Sequence, residues 1–472
     1  MLDSMMEAFI LYFSLLLGIG FYFYYTTQSN NDFAVGDRKL NYWITAISAQ
    51  ASDMSDWLFM GFPGAIYASG LIGIWTAIGL VLFMFLTWHF IAPQFRIATE
   101  SENSPTLASF LQAKFGADNN AIRVISGLLC LYFFIFYIAA GLAGLGRVFQ
   151  YAFNINYYYG MVLGLTITLT YSLLGGLLAV AWSNLFQGLF LLFTIILVPC
   201  YALYQLGGIT ACLDILSTQN TSYLSVIPTQ TSIMTTIFQI MAWGLGYFGQ
   251  PHILINFMSI DDVANMKKAK YVGISWQILV LTAAILVGVV GKAFIHPTLI
   301  NSEMVFISMV TSMFTPFISG FILCAMLAAT ISTINSQSLV SASLITNDLY
   351  YPFILNKTSN SYHRLFTQSA IFIIPLLALL AAFYNTDKIF NLVFYAWSGL
   401  GCSFGPLVIL ALYTNFVTPA GAIAGLLAGG LTGIFWPISH KIPPLVIGFI
   451  LNFSITIIVS FFTKKRLFHE KI

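Results

Sequence analysis

Apolar runs of roughly 20 residues recur along the whole chain, each bounded by Gly, Pro or charge, which is the pattern of helices that cross a bilayer. The runs predict thirteen helices, at about 6–25, 41–69, 71–93, 121–146, 157–174, 177–204, 230–257, 270–294, 303–345, 362–383, 389–413, 416–437 and 443–463. The run at 303–345 is too long for one crossing, so part of it must tilt, bend or leave the bilayer. No polar domain separates the runs. The expectation is an all-α membrane protein with its 472 residues in a single polytopic domain.

Composition narrows the class further. With 59% hydrophobic and 7% charged residues, no soluble core could hold the apolar surface. The net charge of +2 is spread over short loops and offers no nucleic-acid patch. Those cations do set an orientation. With the N-terminus outside, Arg38, Lys39, Arg96, Lys114, Arg123, Lys267, Lys268, Lys270, Lys357, Arg364, Lys464, Lys465, Arg466 and Lys471 share one side, and Arg147, Lys292, Lys388 and Lys441 the other. Fourteen against four, with no Lys or Arg in the 205–229 loop, predicts an external N-terminus and a cytoplasmic C-terminus. The segment at 6–25 lacks a basic n-region and a small-residue cleavage site, so it reads as a retained helix. Five scattered cysteines and six isolated histidines give no disulfide or metal-ligand framework.

Polar residues inside two of the helices change the picture. The second carries Ser48, Ser52, Asp53, Ser55 and Asp56, followed by Gly61, Pro63 and Gly64. Asp53 and Asp56 read as the only carboxylates that cannot sit at a membrane edge, and a charge in hydrocarbon is kept where it faces a partner, a cavity or an ion path. The seventh carries Gly244, Gly246, Gly249 and Pro251 within one short stretch. Both helices are expected to unwind at mid-membrane, where irregular backbone is tolerated only around a cavity or inside protein. Five helices apart, the breaks fit two five-helix repeats of opposite orientation, a pattern that points to a transporter binding site. A third segment, Ala328 to Ser338, has seven small or hydroxylic side chains among eleven. Ser332 and Thr333 there, beside unwound carbonyls of Ala51 to Met54, offer the all-oxygen shell that a hard cation needs, although a helix-packing face explains the same residues.

At these residues the chain resembles the sodium/solute symporter family, closest to its bacterial sodium/proline members. Ala51-Ser52-Asp53-Met54-Ser55 and Trp57 match the family's first core helix, and Gly36-Asp37-Arg38-Lys39-Leu40 matches the loop before it. Gly175 to Trp182, Trp243 to His252, and Ser332-Thr333 with Gln337 match as well. The resemblance implies a LeuT-like core with one extra N-terminal helix (1–30), repeats at 41–204 and 230–413, and extra C-terminal helices with a tail (416–472). It implies sodium held by the carbonyls of Ala51, Met54 and Ala329 and the hydroxyls of Ser332 and Thr333. Asp53 and Arg38 would couple the ion, and Ser55, Asp56, Trp57, Tyr137, Trp243 and Tyr247 would surround the substrate. The expected function is sodium-coupled proline uptake across a bacterial cytoplasmic membrane, without a resident cofactor or an obligatory protein partner.

Two positions depart from the family pattern. Asp56 stands where the family has Gly, and it could be neutral, pair with Arg38 or Lys39, or select a more cationic amino acid; betaine and pantothenate are further candidates for a redirected pocket. Asn184 stands where members with an additional sodium site carry an acid, which favours one sodium per substrate. Catalysis by Asp53 and Asp56 as an acid pair is a remote alternative, since the chain lacks a second intramembrane acid on another helix. Channel conduction would not need an aromatic pocket.

Overall fold

A computed structural model describes residues 2–26, 38–116, 120–172, 176–219, 221–227, 233–354, 360–384, 388–438 and 440–469. Gly36, Asp37, Gly175, Lys357 and Lys471, named above, lie outside these residues. The described residues are helical throughout, with one isolated parallel bridge between Leu40 and Ile260. Among them, eight helices are long and apolar enough to cross a membrane unbroken. The protein is a multi-pass membrane protein.

Several helices run beyond the expected limits. The third continues from Leu71 to Ser101 through a π-turn at Thr87–Ile91, just before Pro93. The fourth reaches from Ala121 to Phe153, longer than the bilayer requires, and a helix of that length tilts. The run at 303–345 divides into a short helix, Val305–Met313, and a long one, Pro316–Leu344. The chain breaks at Phe314 and Thr315 because the residue before Pro316 is pushed into extended backbone, and Thr315 sits at ψ 155°.

Two helices lie at the centre. Pro316–Leu344 packs against Leu2–Thr26, Ala121–Phe153, Gly176–Leu206 and Asn360–Tyr384, so it is buried on every side from Ile322 to Leu344. Three of its hydroxyls bond its own backbone four residues back, Ser336 on Ser332 (2.9 Å), Ser338 on Ile334 (2.6 Å) and Ser341 on Gln337 (2.7 Å). Ile389–Tyr413 is the second, packed between Ala121–Phe153 and the two C-terminal helices Pro419–Phe435 and Pro444–His469.

Both expected interruptions are present. The first broken helix runs Tyr42–Ala51, then irregular backbone, a π-turn at Trp57–Gly61, and Phe62–Ser69. The second runs Ile233–Gly244, a 3-10 turn at Leu245–Gly249, and Pro251–Met258. Their ends meet on one side of the membrane, where the Leu40 amide donates to Ser259 O (3.0 Å) and the Asp261 amide to Leu40 O (2.8 Å).

Candidate functional site

The first break frees a carbonyl. In a continuous helix the Ser55 amide would donate to Ala51 O; here it donates to Asp53 O instead (3.1 Å). Ala51 O is met by two hydroxyls from the central helix, Ser332 Oγ at 3.0 Å and Thr333 Oγ1 at 3.5 Å. The same hydroxyls reach Ala329 O at 2.8 and 3.2 Å. Four of the five expected ion ligands therefore share one buried spot, and Met54 lies in the irregular stretch beside them. The donor set is all oxygen and carries no formal charge. Turning the two hydroxyl protons away would present two carbonyls and two hydroxyl lone pairs to a hard cation such as sodium.

A small cavity lies on the other side of the break, lined by Asp53, Trp57, Leu80, Tyr137, Trp243, Val393 and Trp397. At about 10 Å³ it is nearly closed in this state, with room for about one water. One wall carries the carboxylate of Asp53, which accepts from the Tyr247 hydroxyl at 2.8 Å; Gln277 Nε2 in turn donates to that hydroxyl at 2.8 Å. Tyr137 lies beside the same carboxylate. The other walls are aromatic. Trp57 sits 4.9 Å from Trp243, centroid to centroid, and stacks on Phe62 at 5.1 Å. Trp397 meets Tyr247 edge-on at 5.0 Å, and its indole N–H donates to Trp243 O at 2.8 Å. Gln250 Nε2 donates to Gly246 O and Trp397 O, so the second break is held against the Ile389–Tyr413 helix from both ends. Carboxylate and π-faces together suit an organic ammonium group, and the buried Trp57 Nε1 has no hydrogen-bond partner in the protein.

Of the expected substrate residues, Trp57, Tyr137 and Trp243 line the cavity and Tyr247 stands behind Asp53. Ser55 and Asp56 are not among the lining residues. Ser55 Oγ accepts from the Trp57 amide (3.3 Å), capping the restarted helix. The Asp56 carboxylate packs against Gly144 of the Ala121–Phe153 helix, where a Cβ would collide with it. It lies within electrostatic reach of Arg147 and Glu303, not of Arg38 or Lys39. Arg38 donates to Met258 O (2.8 Å) and Thr99 O (3.1 Å), tying the end of the second broken helix to the Leu71–Ser101 helix. Burial and the neighbouring Arg96 hold the Arg38 guanidinium below its ordinary pKa, with Glu100 opposing them.

Leu80, Val393, Trp397, Gln250 and Gln277 did not stand out in the sequence. Trp397 had the best signal, a large aromatic just before Ser398-Gly399-Leu400-Gly401 in a helix that also contains Pro406. Asp53 and Asp56 are also not the only deeply buried carboxylates, because Glu303 (2% exposed) and Asp348 (0%) are enclosed at helix ends. Asp348 accepts from Thr106 Oγ1 (2.7 Å) and faces Arg123 at 3.5 Å. Asn184 Nδ2 donates to Ser48 Oγ (3.1 Å) and Ser336 Oγ (3.3 Å), and Ser48 donates to Asn256 Oδ1 (2.8 Å).

Comparison with known proteins agrees with this geometry. The model of the sodium:solute symporter family matches residues 33–429. The sodium/proline symporter of Staphylococcus aureus strain USA300 / TCH1516 is 37% identical, over 98% of this chain and 94% of the relative. That of strain NCTC 8325 / PS 47 is 36% identical over the same shares. Among solved structures, a Na+-coupled sialic acid symporter in a substrate-bound outward-open state matches with a TM-score of 0.83 at 17% identity, covering 97% of both chains. MhsT in complex with L-phenylalanine matches with a TM-score of 0.59 at 13% identity, over 88% of this chain and 98% of that one. At such identities these two likenesses concern the fold.

Proposed function

This chain belongs to the sodium:solute symporter family, and from that membership we propose that it carries proline into the cell together with sodium. Sodium is the co-transported ion, and the chain is a transporter rather than an enzyme, which removes the acid-pair alternative. The observation that carries the reading is a single break serving two sites: Ala51 O turns to Ser332 and Thr333 on one side, and Asp53 lines an aromatic cavity on the other.

In this reading sodium is bound by the carbonyls of Ala51, Met54 and Ala329 and the hydroxyls of Ser332 and Thr333. Asp53 holds the substrate ammonium or transmits the ion's presence to it, with Tyr247 and Tyr137 orienting its carboxylate. Trp57, Trp243 and Trp397 enclose the ring. Ion binding fixes the same unwound backbone that orients Asp53, so each ligand raises the affinity of the other by an equal factor. Arg38 joins the cytoplasmic ends of two elements that must move together. The neutral hydrogen bonds of Asn184 support one sodium per substrate. Asp56 faces Gly144 rather than the cavity, so selection of a cationic amino acid is not favoured.

The architecture proposed with it is LeuT-like: thirteen crossings in one domain, inverted repeats at 41–204 and 230–413, one added helix before them and two after. Matching breaks at the start of each repeat support it. The distribution of Lys and Arg supports an external N-terminus and a cytoplasmic C-terminus in a bacterial cytoplasmic membrane. Binding of radiolabelled proline to purified protein, in sodium and in potassium, tests the substrate. Sodium-dependent binding displaced by unlabelled proline but not by lysine, ornithine, betaine or pantothenate is expected. Displacement by one of those competitors in place of proline would overturn it.

A further inference from the structure

No residue of the Met266–Phe294 helix lines the cavity, yet this helix is bonded to both sides of the first break. Ahead of the break, Gln50 Nε2 donates to Gly273 O at 3.0 Å, one residue before the carbonyl that turns to Ser332 and Thr333. Gly273 permits the approach, since a Cβ there would stand 3.3 Å from Gln50 Nε2 and 3.4 Å from Trp88 Nε1. One turn along the same face is Gln277. Its Nε2 donates to the Tyr247 hydroxyl at 2.8 Å, and that hydroxyl donates to Asp53 Oδ2 at 2.8 Å, beyond the break. Between the two contacts, the Trp276 indole N–H donates to Gly188 O at 3.2 Å and fixes the helix to Gly176–Leu206.

The direction of these bonds follows from the donor inventory. A phenol has one proton and two lone pairs, and an ionised carboxylate only accepts. The Tyr247 proton therefore points at Asp53, and the hydroxyl's second partner has to be a donor. Gln277 Nε2 is that donor, so every bond in the series points toward the carboxylate. Gln277 and Tyr247 are both fully buried, and the Tyr247 ring is seated edge-on against Trp397 at 5.0 Å. With the ring seated, the remaining freedom is the hydroxyl proton's rotation, and a donor on its far side removes it. In a buried site, losing that donor also leaves a lone pair unmet.

We propose that Gln277 is a positioning residue for the substrate: it fixes the Tyr247 hydroxyl, and through it the Asp53 carboxylate, in the direction that receives the substrate ammonium, while touching neither substrate nor ion. The same helix grips Gln50 ahead of the break, so the ion side and the substrate side are referred to one rigid support. This deepens the substrate reading given above and rests on it.

The test is proline uptake into proteoliposomes at saturating sodium, for Gln277→Met and Gln277→Glu, each alone and combined with Tyr247→Phe. Gln277→Met keeps the side chain's length and removes the donor; it is expected to raise KM about fivefold, the size of one neutral hydrogen bond, with kcat changed by less than about twofold. Gln277→Glu offers the hydroxyl an acceptor that draws its proton from Asp53, and is expected to raise KM about tenfold or more. In the Tyr247→Phe background, Gln277→Met is expected to change KM by less than about twofold, because it acts through that hydroxyl. Gln277→Asn, which keeps the amide but stops short of the hydroxyl, takes the place of Gln277→Met with the same expectation if the latter is not recovered in the membrane. An unchanged KM, a fall in kcat alone, a full effect without the Tyr247 hydroxyl, or a Gln277→Glu protein with the parent KM would overturn the assignment. A parent protein that accumulates another solute in place of proline overturns the substrate reading alone, and the same ratios are then expected with that solute.

Discussion

Ser332 and Thr333 owe their proposed role to a neighbour far away in sequence, the Ala51 carbonyl that the break frees. In the proposed shell, replacing both with Ala removes two oxygens, and by analogy with hydrogen bonds to charged groups each contributes about 1.5–3 kcal/mol. The sodium concentration for half-maximal stimulation of uptake should therefore rise at least about tenfold, with the protein still present in the membrane; a sodium titration of initial rates checks it. Tyr247→Phe leaves Asp53 without its 2.8 Å donor and Gln277 without an acceptor. Loss of about 1–2 kcal/mol should weaken proline affinity about tenfold in a binding titration, while Asp53→Asn should abolish sodium stimulation. The meeting of Ser332 and Thr333 with the first break was legible because hydroxyls among small residues on one helix were expected beside carbonyls freed on another. The direction of Asp56 was not, since a side chain three residues along a distorted backbone can face either way. Only the room left by Gly144 decides it.

The two broken helices and the Ile389–Tyr413 helix work as a unit. Gly144→Ala would drive a methyl group into the Asp56 carboxylate, and overpacking of this kind costs about 1–3 kcal/mol. The expected result is a lower melting temperature in detergent, largely restored when Asp56→Gly is added. A simple sum of the two single effects would show that the contact is not as described. Trp397→Phe keeps an aromatic wall but removes the bond to Trp243 O, which should loosen the second break and raise the KM for uptake several-fold, by about 1 kcal/mol. The breaks themselves were visible from intramembrane polar residues and from Gly and Pro clusters, because Pro lacks a backbone donor and Gly costs a helix entropy. The extension of helices to Ser101 and Phe153 was not, since hydropathy marks where lipid ends rather than where hydrogen bonding does. Trp397 was likewise hidden, as its value comes from the Gln250 and Trp243 backbone contacts that only packing supplies.

At the scale of the whole molecule, one membrane-embedded bundle holds an uncharged oxygen site and an acid-lined aromatic cavity on opposite sides of one break. The class and the multi-pass character followed from hydropathy alone. The crossing topology rests on cation counting, and it predicts that a tag before Met1 is cut by protease added to intact cells while a tag after Ile472 is protected. Because the two sites share the Ala51–Asp53 backbone, neither ligand should move alone at an appreciable rate. The most direct test is uptake of radiolabelled proline into proteoliposomes carrying the purified protein, with an inward sodium gradient and with potassium in its place. Accumulation above the external concentration that requires the sodium gradient, and is lost in Ser332→Ala with Thr333→Ala, is the predicted result. Equal uptake in potassium, or no proline uptake under either gradient, would contradict it.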